Sequence, residues 1–312
     1  MPAVTRLLIN PSAGRATGAD LSIAYDAPGI EVVEVETEDQ TRDAATQAAR
    51  DGVEKVVAAG GDGTLHLVVN GLMAVGETAA DRPVLGLLPL GTGNDFARTL
   101  GLPLDDMATC FRCIGEGVHR PLDVIRYAHE GQTGYAINAC AGGFSGTVGE
   151  TLTPGFKASW GPLSYLIGAA RLLPDLTGYR TEVAWDGGPA ERIEAYNVVV
   201  ANGRTAAGGQ PVAPRANPED GLLDVVIVRA GTALDIARLG ALVVAGDYIT
   251  DAAVVFNQVR RVRITSTPGM WFNVDGELRT NEPVEFEAVP GALRIIVGPD
   301  YTADAPRPDA AP

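Results

Sequence analysis

The sequence predicts an α/β plus β architecture: an N-terminal doubly wound parallel α/β domain, then a C-terminal antiparallel β-sandwich domain. Three observations carry this expectation. The first third alternates short β-rich runs with helical stretches, the texture of a parallel sheet wound by helices. After about residue 120 the runs become short, alternating and turn-separated, as in an antiparallel sandwich or barrel. Three glycine-bearing turns follow strands of the first part, at the edge where an open α/β sheet places its ligand.

Taken in order, Val4 to Ile9 and Glu31 to Val35 read as strands, and Thr41 to Asp51 as a helix. Lys55 to Ala59 is a strand, Thr64 to Val75 a helix, and Val84 to Leu88 a strand. Asn94 to Leu100 and Asp105 to Gly115 are further helices. The β-rich part contributes Leu122 to Tyr127, Gly134 to Ala139, Thr181 to Trp185 and Tyr196 to Ala201. Leu223 to Val228, Val259 to Thr265, Val284 to Ala288 and Leu293 to Val297 complete it. Gly, Pro, Asn-Gly and Asp-Gly turns separate these runs. Ala158 to Leu173 and Leu234 to Ala245 carry apolar residues near helical spacing and read as helical inserts. The expected domains are 1–120 and 121–299, with the last strand able to pack back on the first domain. The Pro/Ala/Asp-rich tail, 300–312, is expected to be disordered.

A formal net charge of -15 argues against nucleic acid as a partner, because nucleic-acid binding needs clustered Lys and Arg to displace counterions. It argues equally against tight electrostatic docking on anionic lipid. Lys55 and Lys157 are the two lysines of the chain, so a lysine-based phosphate cradle is not expected. Cys110, Cys113 and Cys140 fit a reducing compartment better than a disulfide scaffold. Cys110 and Cys113 form a C-x-x-C without a second pair, in a helical stretch, and are read as structural. The opening "MPAVTRLLIN" has no charged region followed by a long apolar core, and no apolar run approaches the ~20 residues of a spanning helix. The expected location is the cytoplasm, peripheral at most at the inner membrane face; a homodimer is left open.

The three turns are Asn10-Pro11-Ser12-Ala13-Gly14, Gly60-Gly61-Asp62-Gly63-Thr64 and Gly91-Thr92-Gly93-Asn94-Asp95. Glycine allows close approach of backbone to a ligand, and two of the turns run into helices whose free N–H groups attract anions. Together they describe a nucleotide or phosphate site. The phosphate-loop pattern G-x-x-x-x-G-K-[ST] is absent, and neither Gly61-Asp62-Gly63 nor Gly91-Thr92-Gly93 has the third glycine of the dinucleotide fingerprint. Phosphate charge must then be met by backbone N–H groups, hydroxyls and a metal ion. Asp62 is unwelcome beside phosphate unless it serves Mg2+ or a proton.

The motifs "NPSAG", "GGDGTLHLVVNGL", "LGLLPLGTGNDFARTLGLP", "NPEDGLLDVVIV" and "NVDGE" fall in one order between residues 10 and 277. In that order they resemble the diacylglycerol kinase catalytic-domain family of lipid kinases, which includes sphingosine, ceramide and bacterial diacylglycerol kinases. The resemblance implies a nucleotide-binding first domain, a β-rich lipid-substrate domain and a site in the cleft between them. ATP would be held by Asn10, Pro11, Ser12, Ala13 and Gly14, by Gly60, Gly61, Asp62, Gly63 and Thr64, and by Thr92, Asn94 and Asp95. Thr37 matches a further nucleotide-touching position. Asp62 would support Mg2+ and the transferred phosphoryl.

The family carries catalytic acidic residues at Asp275-Gly276-Glu277, where the bare sequence shows an Asp-Gly hairpin turn. Glu277 is favoured as the base with Asp275 beside the metal, and the opposite assignment stays open. "PRANPEDGLLD" resembles a structural Mg2+ loop with oxygens from Asn217, Asp220 and the Leu222 carbonyl. Asn217 stands where relatives often have Asp, and an acidic turn is the alternative. His66, His119 and His129 lack metal spacing and are read as structural. "NACAGGFSG" is expected to shape the cleft. "GPLSYLIGAARLLPDL" is amphipathic, with packing on the sandwich favoured over facing lipid.

The leading expectation is therefore an ATP- and Mg2+-dependent lipid kinase with ATP and, transiently, a lipid at a membrane surface as partners. An NAD kinase-like phosphotransferase is one alternative, although no Asn-Glu pair follows the glycine motif; Asn281-Glu282 falls near the end. A non-catalytic nucleotide- or lipid-binding regulator is the other. The lipid, whether diacylglycerol, a sphingoid base or another long-chain alcohol, is left open.

Overall fold

The computed structural model describes residues 5–11, 14, 25, 28–143, 178–245, 248–280 and 284–304. In the first part, β1 (Thr5–Ile9), β2 (Ile30–Glu34), β3 (Lys55–Gly60) and β4 (Val84–Pro89) pair in parallel in the order β2-β1-β3-β4. β4 is buried along its whole length and β3 along all but its first residue, as parallel strands covered on both faces must be. The two-residue period divides β3 between two cores. Val56 and Ala58 meet Ala45, Leu65, Val68 and Leu72 on one face, whereas Val57 and Ala59 meet Leu7, Cys110 and Ile114 on the other.

The helices supplying those residues are α1 (Glu38–Arg50), α2 (Asp62–Met73), the short α3 (Asp95–Thr99) and α4 (Met107–Glu116). α1 begins earlier than its apolar pattern predicts because Thr37 and Gln40 form a capping box. Thr37 Oγ1 accepts from the Gln40 N–H, and Gln40 Oε1 accepts from the Thr37 N–H, each at 3.2 Å. α2 also begins early, so Asp62 lies in its first turn.

The second part is antiparallel throughout. It comprises β5 (His119–His129), β6 (Gln132–Ala136), β7 (Ala139–Gly143), β8 (Tyr179–Trp185), β9 (Ala190–Ala201), the β10 (Thr205–Ala206) and β11 (Gln210–Pro211) hairpin, and β12 (Leu223–Arg229). After α5 (Ala233–Ala245) come β13 (Val254–Val259), β14 (Arg261–Thr267), β15 (Phe272–Val274), β16 (Glu277–Thr280) and β17 (Val284–Ile296). Its main core includes Ile193, Val225, Ile264, Phe272 and Phe286. The two Phe rings sit 5.3 Å apart at 56°, a tilted pairing worth about 1 kcal/mol beyond area burial. A second layer under α5 joins Val226 of β12 to Leu239 and Tyr248.

Three details depart from the sequence expectation. Gly134 to Ala139 is not one strand; the chain breaks at Ile137-Asn138 between β6 and β7. Val284–Ile296 is one strand where two were expected, with a register shift between Val289 and Leu293 where Pro290 and Gly291 interrupt the pattern. Its far end pairs in parallel with β4 at Ile295–Leu85, so the sheets of the two parts are continuous. The first residues of the tail are held, with Tyr301 Oη donating to Glu219 Oε1 at 2.7 Å. The helical insert at 158–173 and residues 305–312 lie outside the described residues. Among the described residues no helix is long and apolar enough to cross a membrane.

Candidate active site

Because β1, β3 and β4 are parallel, their C-terminal turns share one edge, and the structure presses those turns together. A Cβ on Gly91 would lie 2.4 Å from the Gly61 Cα, so the second and third turns touch backbone to backbone. A Cβ on Gly14 would lie 3.1 Å from Thr92 Oγ1, which brings the first turn to the third. The Asn10 N–H donates to the Ala59 carbonyl at 3.2 Å and the Leu90 N–H to the Gly60 carbonyl at 2.9 Å. Pro11, Gly14, Gly63 and Thr92 are exposed at this edge, while Thr64 is buried against Gly60. Ser12 and Ala13 lie outside the described residues. Thr37 is exposed after β2, with its hydroxyl capping α1.

Asp62 reaches from the start of α2 to the start of α3. Its Oδ1 accepts the Phe96 N–H at 3.2 Å. Its Oδ2 would lie 2.9 Å from a Cβ on Gly93, so only glycine leaves that oxygen its place. Burial pushes the Asp62 carboxyl above its ordinary value, opposed by the N–H groups of Asp95 and Phe96 and reinforced by the charges of Asp95 and Asp275.

The two polar residues after Gly93 face inward. Asn94 adopts φ 52° and closes its own turn: Oδ1 accepts the Gly91 N–H at 2.9 Å, and Nδ2 donates to the Gly91 and Pro89 carbonyls at 2.8 and 3.2 Å. The buried Asp95 carboxylate accepts backbone N–H groups from the β10–β11 hairpin.

From the second lobe, Asp275 sits at φ 47° in the turn between β15 and β16, a turn closed by Asn273 Oδ1 accepting the Gly276 N–H at 2.8 Å. Its side chain is 1% exposed. Oδ2 accepts the Ile137 N–H at 2.8 Å, and Oδ1 accepts those of Asn138 and Ala139 at 3.1 Å each. This explains the break between β6 and β7: the three amides that would continue a ladder turn onto one carboxylate. His66 Nδ1 completes the set, 3.0 Å from Asp275 Oδ2. Glu277 opens β16 opposite Val274; its side chain lies outside the described residues.

His66, read from the sequence as structural, is buried beside this turn. It lies on α2 four residues after Asp62, and that spacing puts both on one helix face. Its Nε2 lies 3.4 Å from Asn70 Nδ2, and the tautomer that carries its proton on Nδ1 satisfies both contacts. Asn70 in turn donates to the Tyr135 carbonyl at 2.8 Å and accepts the Tyr135 N–H at 3.0 Å, docking α2 on β6.

The other predicted positions lie apart from this cluster. In the 217–222 loop, Asn217 Oδ1 accepts the Glu219 N–H at 2.9 Å, and Asn217 Nδ2 donates to Asp304 Oδ1 at 3.1 Å. Asp220 Oδ1 accepts the Leu222 N–H at 2.9 Å. These contacts draw Asn217 and Asp220 onto the loop and onto Asp304. Among the described residues no group of three or more His, Cys, Asp or Glu is placed to hold a metal. Cys110 and Cys113 are free thiols, and burial pushes Cys110 up to about 12, which makes it inert. Lys55 Nζ donates to the Ile114 carbonyl at 2.9 Å, so it caps α4 and does not face the turns. A cavity of about 580 Å³ opens elsewhere, between α4 and residues 297–303, and none of the three turns lines it.

Residues 5–127 match the diacylglycerol kinase catalytic domain, and residues 139–297 match the YegS C-terminal NAD kinase beta sandwich-like domain. The chain is 31% identical over 300 residues to the "Diacylglycerol kinase" of Bacillus subtilis (strain 168), covering 94% of this chain and 95% of that protein. It is 37% identical over 306 residues to the "Probable lipid kinase YegS-like" of Xanthomonas oryzae pv. oryzae (strain MAFF 311018), covering 94% and 96%. A crystal structure of a diacylglycerol kinase from Bacillus anthracis str. Sterne shares the fold, with TM-score 0.72 at 22% identity over 96% of this chain and 98% of that one. The chain belongs to the diacylglycerol kinase and YegS-like family of lipid kinases.

Proposed function

We propose that this protein transfers the γ-phosphoryl group of MgATP to the hydroxyl of diacylglycerol or a related lipid. The observation that carries the reading is the meeting of two lobes at one point. The helix that starts at Asp62, beside all three glycine turns, is bonded through His66 to Asp275, in the turn that leads to Glu277.

In this reading the exposed edge formed by Gly14, Gly63 and Thr92 faces the phosphates, with the Thr92 hydroxyl beside them. The magnesium that accompanies ATP would supply charge neutralisation, and Asp62 would be the carboxylate that holds it. The crowding of Asp62 by Asp95 and Asp275 supports this, because a cation would relieve it. Glu277 takes the proton of the lipid hydroxyl as that oxygen bonds to the γ-phosphorus. The bond from the γ-phosphorus to the bridging oxygen breaks, and ADP leaves with the electron pair. Asp275, with both oxygens accepting N–H groups, orients the turn and is not itself the base. The lipid is met at a membrane surface in a brief contact.

Radiolabelled ATP incubated with the protein, a mixed lipid extract and NAD tests this. Label in a chloroform-soluble product is expected. Label in NADP, or in neither product, would sink the lipid-kinase reading.

A further inference from the structure

α3 of the first lobe and the β10–β11 hairpin of the second are joined by three hydrogen bonds, with a fourth at Arg204 just before the hairpin. Asp95 Oδ2 accepts the Gly208 N–H at 2.9 Å, and Oδ1 accepts the Gly209 N–H at 2.6 Å. The Asp95 carbonyl accepts from Thr205 Oγ1 at 3.2 Å, and Thr99 Oγ1 accepts the Arg204 N–H at 3.1 Å. The hairpin turn passes through three successive left-handed residues, Ala207 at φ 55°, Gly208 at φ 85° and Gly209 at φ 99°. The turn aims the Gly208 and Gly209 N–H groups at one carboxylate and so makes an anion seat. Here the anion in the seat is the protein's own Asp95.

The hairpin is held on its other side as well. Asn138 Nδ2 donates to the Thr205 carbonyl at 3.0 Å, and the Asn138 carbonyl accepts the Asn202 and Gly203 N–H groups at 2.9 Å each. Asn138 belongs to the loop whose amides converge on Asp275. A closed circuit results. It runs from Asp62 through the α3 N-terminus to Asp95, through the hairpin to Asn138, through the 137–139 loop to Asp275, and through His66 back along α2 to Asp62. Each lobe's carboxylates are thus oriented by amides belonging to another segment of the circuit.

We infer that Asp95 is a positioning residue whose carboxylate holds the Thr205–Pro211 hairpin and not the nucleotide, and that the hairpin keeps Asp62 in register with the Asp275–Glu277 turn. The inference rests on the kinase reading above for its catalytic consequence and on geometry alone for the clasp. An amide at position 95 would set an NH2 group against one of two N–H donors, so a carboxylate is required there. Gly208 offers an independent handle. A Cβ there would meet no atom within 4 Å, but its φ of 85° strains any side-chain-bearing residue, so Gly208→Ala shifts the hairpin without removing a charge.

Asp95→Asn and Gly208→Ala, made singly and together, test the inference. Thermal melts first establish that each variant unfolds in a cooperative transition. Amide hydrogen exchange, which needs no turnover, is expected to quicken over residues 204–212 and 137–139 in each single variant. Turnover is expected to fall about 100-fold, the scale of a 1 Å misplacement, while the KM for ATP stays within about twofold. The double variant should be no worse than the worse single variant, because both break one contact. Unchanged exchange over 204–212 in Asp95→Asn would overturn the clasp. A weakened KM for ATP in Asp95→Asn with a normal Gly208→Ala would overturn it too, by assigning Asp95 to the nucleotide. Failure of the wild type to label any lipid would instead overturn the kinase reading, and the exchange result would stand apart from it.

Discussion

His66 Nδ1 lies 3.0 Å from Asp275 Oδ2, across 209 positions of sequence, and both side chains are almost wholly buried. The contact joins the helix that carries Asp62 to the turn that carries Glu277. A buried carboxylate needs its lone pairs met, and among the described residues His66 is the one side-chain donor, beside three backbone ones. His66→Ala is expected to cost about 2–4 kcal/mol in chemical denaturation and to lower turnover by about 10- to 100-fold. Wild-type stability and activity in this variant would show that the bridge is idle.

Asp275 and Glu277 should fail in different ways. Asp275→Asn sets an amide NH2 among N–H donors, and a loss of about 3 kcal/mol or more is expected together with loss of activity. Glu277→Gln should melt like the wild type and lose turnover by about 100-fold or more. Paired melting curves and initial rates distinguish the two; equal destabilisation by both substitutions would refute the division of roles.

Asp62 is held above its ordinary carboxylate value, with burial the leading cause. The folded state therefore binds its proton more tightly than the unfolded state. That contribution to stability is complete below the unfolded value and is lost as pH rises through the folded one. Asp62→Asn should accordingly be more stable than the wild type near neutral pH, with the difference closing as the medium is acidified. Its turnover should drop by about 100-fold or more. Urea titrations at several pH values check the sign, and a variant that is less stable at neutral pH would contradict it.

Asp224 extends the same logic to a position remote from the reaction. It is 2% exposed, Gln258 Nε2 donates to its Oδ1 at 2.9 Å, and its Oδ2 has no partner among the described residues. Burial pushes it from 3.8 up to about 6. Its stabilising contribution is present below 3.8 and is lost as pH rises through about 6, by up to about 3 kcal/mol. The wild-type melting temperature should fall between pH 5 and 7.5, and Asp224→Asn should flatten that fall and melt a few degrees higher at pH 7.5. Parallel pH profiles for the two proteins would refute this.

Much was legible because it is local. The unbroken apolar run of Val56 to Ala59 marks a strand covered on both faces, and parallel strands oblige their following turns to share an edge. Gly60 to Thr64 and Gly91 to Asp95 therefore pointed to one site before any contact was seen, and the motif order pointed to the family. His66 and the Thr205–Pro211 hairpin did not stand out. A histidine on an apolar helix and a Gly-Gly turn carry the same local signature whether or not they meet a carboxylate.

By itself, then, the chain determined its strands, its helices and the glycine turns, since periodicity and backbone freedom act over a few neighbouring residues. Tertiary structure alone decided the partners. Asp95 meets amides 113 and 114 positions away, Asp275 meets amides 136 to 138 positions away, and β17 crosses from one lobe to pair with the other. The physical reason is that a buried carboxylate accepts whichever N–H groups the packed lobes bring within hydrogen-bond reach. No spacing along the chain encodes which groups those will be.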